Sequence, residues 1–589
     1  MTEDSQTNKA ARDAWLHALA CTAPIGRDPS LTFPLVIDSL AARFGDAPAL
    51  LSSDETWSHR DLARRMNQYA RWALGIGVAR GDVVCLMMPN RPDYLAVWLG
   101  ITRIGGVVAL VNTNLTGDAL VRSIGSVGAR HIIVDSSLVG AVAAVRPQLA
   151  AGLRCWAFGD GSHDFLRLDR AIEQVSGEAA TLTDSETPQL SDRALYLYTS
   201  GTTGLPKAAA VSHLRVLQWT HWFAGMMETD PADRMYDCLP MYHSIGGIVA
   251  IGAPLVRGGS VVLRGRFSAS QFWDDVVATQ CTLFQYIGEL ARYLVNAPPH
   301  ARETQHRVRL CCGSGLSAEI WGGFQDRFRI PRILEFYAAT EGAVSLYNCE
   351  GKQGAIGRIP PYLAHRFPVA LIRHDDATGE PARGADGTCI SCAVDEVGEA
   401  IGRGDGFEGY VDPEDSDRKL LRDVFRHGDR WFRTGDLMRR DKSGYFYFVD
   451  RIGDTFRWKG ENVSTTEVAS AMCASPGILE AVVYGVSVPD SEGRAGMAAI
   501  TVGPDFALAT LWRTLAGRLP EYARPMFLRI CASLATTTTF RPQKQALARE
   551  GFDPGASGDP VYFNDRAAKA FVPLDAALYR RIIDGQVRV

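Results

Sequence analysis

Short apolar strands alternating with helical stretches constrain this chain most. Leu62, Met66, Tyr69, Ala70 and Ala73 recur at helical spacing and predict a helix over 60–74. Residues 82–88 form a compact apolar run that the Pro89-Asn90-Arg91-Pro92 cluster ends. A helix over 93–103 and a strand over 107–111 follow, and the rhythm returns with strands at 131–134, 194–199, 234–239 and 261–263. Strands joined through helices cannot be hairpins. The crossover returns each strand parallel to the sheet, with helices covering its faces. No self-similar period of roughly 20–50 residues is present, which argues against a solenoid or propeller.

The texture changes from residue 349. Glycine-punctuated strands such as Gly354-Ala355-Ile356-Gly357 and Gly398-Glu399-Ala400-Ile401-Gly402 predict a small β-rich subdomain. A strand over 445–449 is followed by charge and glycine at 450–454, where a hinge is expected. Beyond it, a helix over 466–473, a strand over 480–488 and a helix over 508–519 predict a separate α+β unit. The expected fold is therefore α/β. Residues 1–450 make a large N-terminal domain of α/β layers with a small β-barrel-like subdomain, and 451–589 make a small mobile C-terminal domain.

Composition narrows the function classes. With 589 residues, 46% hydrophobic and 22% charged, the chain has globular proportions, which excludes disordered and collagen-like architectures. Its 62 Lys+Arg against 66 Asp+Glu leave a formal net charge of −4, so no nucleic-acid partner held by bulk charge is expected. The 12 scattered cysteines, with Cys389 and Cys392 a lone pair, suit reduced thiols in a cytoplasmic protein better than a metal site. The charged first residues do not form a secretory signal, and the apolar stretch over 94–111 is broken by Arg103 and glycines. No transmembrane span is expected, while peripheral membrane contact stays open.

The sharpest motif is Tyr198-Thr199-Ser200-Gly201-Thr202-Thr203-Gly204-Leu205-Pro206-Lys207, into which an apolar strand runs directly. Its glycines let the backbone fold back and aim N–H groups at anionic oxygens. The hydroxyls add donors, and Lys207 adds a mobile cation. The spacing is not that of a Walker loop.

This string resembles the signature of the adenylate-forming enzymes: acyl-CoA synthetases, nonribosomal adenylation domains and luciferases. Tyr337-Ala338-Ala339-Thr340-Glu341-Gly342 resembles the family's adenine and magnesium motif, and Thr434-Gly435-Asp436 its ribose motif. The run over 444–454 leads into Trp458-Lys459-Gly460-Glu461-Asn462-Val463. With Phe407-Glu408-Gly409-Tyr410 and Val561-Tyr562-Phe563, it resembles the fatty acid transport protein and very-long-chain acyl-CoA synthetase branch.

The resemblance implies an ATP-dependent ligase that activates a small-molecule carboxylic acid, fatty or aryl, as acyl-AMP. Pyrophosphate is released and the acyl group passes to CoA. It implies that Thr199, Ser200, Gly201, Thr202, Thr203, Gly204 and Lys207 hold phosphates and that Glu341 binds Mg²⁺. Tyr337 would stack on adenine, Thr340 bond the phosphate, Asp436 accept ribose hydroxyls and Arg451 reach the ribose or phosphate. His243, in Pro240-Met241-Tyr242-His243-Ser244, would border the acyl and phosphate sites; a satisfied core histidine is the alternative. Tyr286-Ile287-Gly288-Glu289 and Gly313-Ser314-Gly315 resemble pocket walls, and 450–454, with Gly453, resembles the hinge.

The chain also departs from the family pattern. Relatives carry a lysine near the C-terminus where this chain has Arg541, in Thr537-Thr538-Thr539-Phe540-Arg541-Pro542-Gln543-Lys544. A planar fork replaces a compact ammonium, which is not conservative at a tight site. Arg541 does the work in altered geometry, Lys544 reaches in instead, or the substrate differs from a fatty acid. Ser314 also replaces an expected asparagine. Two further readings therefore stand beside the ligase. One is a diverged diazotase, activating nitrite, an oxyanion, with ATP toward an arylamine. The other is a non-catalytic nucleotide-binding or transport protein.

Overall fold

The computed structural model describes residues 3–161, 164–183, 186–200, 206–375, 379–452, 454–458, 461–489, 493–536 and 543–587. Contacts divide the chain into two compact units. The first comprises Met1–Leu316, Gly322–Lys352 and Arg403–Leu421, and the second Ser317–Trp321, Gln353–Gly402 and Arg422–Val589.

The first unit holds two α/β layers. In one sheet Val83–Met87 is central. Its neighbours are Val107–Leu110 and His131–Asp135, and the sheet continues to Arg154–Phe158 and Leu166–Arg167 on one side and to Arg193–Ser200 and Pro206–Ser212 on the other. All these pairings are parallel except the last, Arg193–Ser200 with Pro206–Ser212. Parallel strands covered on both faces must be apolar on both faces. Val84, Cys85, Leu86, Met87, Val108 and Ala109 are accordingly all buried.

In the second sheet, strands Pro48–Leu51, Ser260–Leu263, Arg234–Asp237, Leu283–Ile287, Leu310–Ser314 and Ile333–Ala338 run parallel, with Thr56–Ser58 antiparallel beside Pro48–Leu51 and Ser345–Asn348 antiparallel beside Ile333–Ala338. Arg234–Asp237 is shorter than the predicted 234–239. The Asp237 side chain accepts the Leu239 N–H at 3.1 Å and turns the chain out of the ladder. Loops carrying the sequence motifs leave the carboxyl edges of these parallel strands, the usual ligand side of an α/β sheet.

The second unit is antiparallel in its first part, in the order Val369–Ile372, Val397–Arg403, Arg430–Arg440, Tyr445–Arg451 and Gly357–Arg358. The strand predicted over 445–449 runs on to Arg451, because Asp436 and Arg451 still pair across the ladder. Its last part is a sheet of Ile478–Val486, Ala495–Val502, Phe527–Ile530, Val561–Asp565 and Ala570–Pro573. Helices Thr465–Cys473 and Leu508–Arg518 close its core, which buries Trp458, Met472, Val482, Met497, Leu511 and Phe527. Each such side chain contributes about 1.5–3 kcal/mol. Among the described residues no helix is long and apolar enough to cross a membrane.

Candidate active site

Thr199 and Ser200 end one strand, and Lys207 begins the antiparallel strand beside it. Thr199 stands opposite Lys207. Gly201, Thr202, Thr203 and Gly204 lie outside the described residues. The Lys207 side chain is only 10% exposed, and its ammonium pairs with Asp415 at 2.8 Å. Asp415 is delivered by the short helix Pro413–Asp417, which Asp412 caps through the Glu414 N–H.

The segment ahead of that helix lies along the strand Pro206–Ser212. Ala210 N–H donates to the Gly409 carbonyl and Val411 N–H to that of Ala208, each at 3.0 Å. This strap seats Tyr410, whose phenol donates to the Glu341 carboxylate. Thr199 hydrogen-bonds the same phenol. Burial, reinforced by the Glu341 charge, holds the Tyr410 phenol well above its ordinary range, so it remains a donor. Thr199, Lys207 and Glu341 are thereby gathered around one strap.

Tyr337, on the strand Ile333–Ala338, and Thr340, in the turn after it, are half-buried. His243 is half-buried as well. Its N–H donates to Pro240 at 3.1 Å and its carbonyl accepts the Gly247 N–H at 2.7 Å, opening the π-helical turn Ile245–Val249. The strands feeding His243 and Tyr337 belong to the same parallel sheet, so both residues lie toward its carboxyl edge.

The two expected walls touch. Tyr286 pairs with Gly313 and Ile287 with Ser314. A Cβ on Gly288 would lie 1.9 Å from the Gly315 carbonyl, so only glycine permits this approach. Glu335, 1% exposed, ties the walls together. It accepts the Tyr286 hydroxyl, the Gly315 N–H at 2.5 Å and the Leu316 N–H at 3.2 Å. Burial pushes its carboxyl up from 4.5 to about 8 in spite of those donors. The folded state thus keeps a proton that the unfolded chain releases. The associated stability is full below pH 4.5 and is lost as the pH climbs toward about 8. A Glu335→Gln variant stays neutral throughout. Its melting temperature is expected to fall less than that of the parent between about pH 5 and about pH 8. Parallel melting curves for the two proteins would contradict this.

In the second unit, Asp436 is 4% exposed and faces Arg451, whose Nε lies 3.0 Å from Oδ1. The Asp436 N–H donates to the Thr434 hydroxyl at 3.0 Å, which itself donates to the Ala400 carbonyl at 2.6 Å. Lys544 opens the helix Lys544–Glu550, donates to the Thr465 hydroxyl at 2.7 Å and pairs with Asp454 at 3.3 Å. Thr465 is anchored in turn by buried Asp450, which accepts its N–H at 2.6 Å and the Arg451 N–H at 2.8 Å. Arg541 and Gly453 lie outside the described residues.

Sequence reasoning missed Asp415 and Glu335, because each finds its partner far along the chain, and it named Asp450 only as part of the hinge. The signal was partial. Tyr410 stood in a recognised motif, whereas an acidic residue in a polar stretch carries no local mark.

Residues 37–393 match the AMP-binding enzyme family and 467–541 the AMP-binding enzyme C-terminal domain. The chain belongs to this family of adenylate-forming enzymes, in its fatty acid transport protein branch. It is 41% identical to long-chain fatty acid transport protein 1 of Mus musculus over 94% of this chain and 88% of that protein. It is 39% identical to a medium/long-chain-fatty-acid–CoA ligase of Mycobacterium tuberculosis over 91% of this chain and 89% of that one. Among solved structures it resembles an anthranilate CoA ligase in complex with anthranoyl-AMP (TM-score 0.75, 20% identity, 88% of this chain and 97% of that chain). It also resembles ATP-bound MatB from Rhodopseudomonas palustris (TM-score 0.74, 24% identity, 88% and 99%). At these identities the two structures speak for the fold.

Proposed function

We propose that this chain activates a fatty acid with ATP and transfers the acyl group to CoA. The observation that carries the reading is the convergence of Thr199, Lys207 and Glu341 on the Tyr410–Asp415 strap, in a chain of this family. A carboxylate oxygen attacks the α-phosphorus of ATP, and the bond to the β-phosphate breaks as pyrophosphate leaves. The CoA thiol then attacks the acyl carbonyl, AMP leaves and the thiol proton is released. Two anions must meet in the first step, so charge neutralisation is the main task of the protein.

Lys207 supplies a cation at the turn where phosphates would lie, and Thr199 and Ser200 supply donors. Tyr337 stacks on the adenine and Thr340 bonds a phosphate. Asp436, oriented by Arg451, accepts the ribose hydroxyls. His243 borders the acyl and phosphate sites. The residues present suit Mg²⁺: Glu341 offers one carboxylate, and no group of three or more His, Cys, Asp or Glu forms a cage among the described residues. Mg²⁺ favours that arrangement, one carboxylate plus phosphates and water. Bound there, it would neutralise phosphate charge as a Lewis acid. The names of the 39–41% identical relatives favour a fatty over an aryl acid.

The test is a panel with ATP and magnesium, measuring pyrophosphate and thioester. Release with fatty acids, and a CoA product, is expected. Release that depends instead on nitrite plus an arylamine would replace this reading with a diazotase. ATP binding without turnover on any substrate would leave a nucleotide-binding protein.

A further inference from the structure

The turn carrying Glu341 has a second support that the proposed chemistry does not use. Arg215 lies in the first turn of the helix His213–Met226, and its side chain is only 9% exposed. Its guanidinium makes three separate commitments. Nη1 donates to the Glu341 carbonyl at 2.6 Å, Nη2 to the Gly406 carbonyl, and Nε to the Glu408 carboxylate at 3.1 Å. Glu408 is held from its other side by Ser212, through the N–H and the hydroxyl, both at 2.7 Å.

Gly342 shows how closely this fits. It sits at φ +80°, and a Cβ there would lie 1.3 Å from Arg215 Nη1. The guanidinium occupies the space that any side chain at 342 would need. Arg215 therefore joins two segments: the turn carrying Glu341, and the strap of Phe407-Glu408-Gly409-Tyr410 that brings the Tyr410 phenol onto the Glu341 carboxylate. The planar fork spreads its donors over three nitrogens and so reaches three acceptors in different directions, whereas an ammonium presents its three N–H groups from a single point.

We propose that Arg215 is a positioning residue for the nucleotide–magnesium site, setting the Glu341 carboxylate through the Glu341 carbonyl and through Tyr410. This rests on the reading of Glu341 given above. In this role Arg215 acts through the Glu341 turn and the Tyr410 strap, on which its three bonds are made. Its loss leaves both groups present and misplaced by fractions of an ångström, and such supporting contacts matter at metal sites.

The test measures equilibrium binding without any acid substrate. The thermal shift produced by ATP is followed against magnesium concentration in the full chain. Arg215→Met is expected to raise the half-saturating magnesium concentration on the order of tenfold. Arg215→Lys should recover part of that loss, since an ammonium reaches only some of the three acceptors. Tyr410→Phe, which removes one oxygen and the donor to Glu341, should move it in the same direction. In turnover assays Arg215→Met should lower kcat with the KM for the acid unchanged. Half-saturation at the parent value in a cooperatively melting Arg215→Met would overturn the inference. If Arg215→Met does not melt cooperatively, the parent value in Tyr410→Phe alone overturns it. A parent chain that forms no acyl-AMP with any acid would reject the proposed function. Magnesium-dependent ATP binding would then still decide the role of Arg215.

Discussion

Glu341→Gln is expected to lower acid-dependent pyrophosphate release by about a hundredfold, with the KM for the acid changed by less than about twofold. The amide keeps the size of the side chain and can still accept from the Tyr410 hydroxyl, so the turn should hold. What it loses is the negative charge that a hard divalent cation requires. An interaction strongest where charge develops on the phosphate lowers kcat rather than substrate binding. The expected deficit corresponds to about 3 kcal/mol of transition-state stabilisation. Stopped assays of pyrophosphate over a range of acid and magnesium concentrations would measure it. Parent-like kcat at saturating magnesium would remove Glu341 from the proposed chemistry.

The second large effect separates two cations at the C-terminal end of the chain. Arg541→Ala should depress acyl-AMP formation by about a hundredfold, whereas Lys544→Ala should change it by less than about threefold. The reason lies in the commitments of Lys544. Its ammonium is spent on the Thr465 hydroxyl at 2.7 Å and Asp454 at 3.3 Å, and Thr465 is itself held by buried Asp450. Freeing it would leave Asp454 and Thr465 without that donor. Lys544→Ala is therefore expected to show mainly in stability, by about 1 kcal/mol, since the pair is partly exposed. Pyrophosphate release and chemical denaturation of both variants would check the contrast. A collapse of adenylation in Lys544→Ala, with Arg541→Ala near parent, would assign the missing lysine's work to Lys544.

Much of the architecture is legible in the amino-acid sequence. The helix predicted over 60–74 is His59–Gly75, and the strand over 131–134 is His131–Asp135. Apolar periodicity reports burial on one or two faces, and burial is what a packed layer demands. The boundaries were less legible where a side chain intervened. Asp237 ended its strand early by capturing the Leu239 N–H, and Asp436 with Arg451 carried another strand further. Both are side-chain events superimposed on a backbone pattern.

The site divides in the same way. The glycine, hydroxyl and lysine spacing in 198–207, and the motifs around Glu341 and Asp436, are legible locally because they are short runs of residue types whose chemistry suits phosphate, metal and ribose. By itself the sequence determined the α/β layers and the family. Only the tertiary structure decided that Asp415 meets Lys207, that Tyr410 donates to Glu341, that Arg215 pins both segments, and that Glu335 is buried under two touching walls. The physical reason is the range of the forces involved. Periodic burial and turn chemistry act over a few neighbouring residues, so spacing records them. A charge or hydrogen bond finds its partner only when packing has brought distant segments within about 3 Å and excluded the water that would otherwise compete.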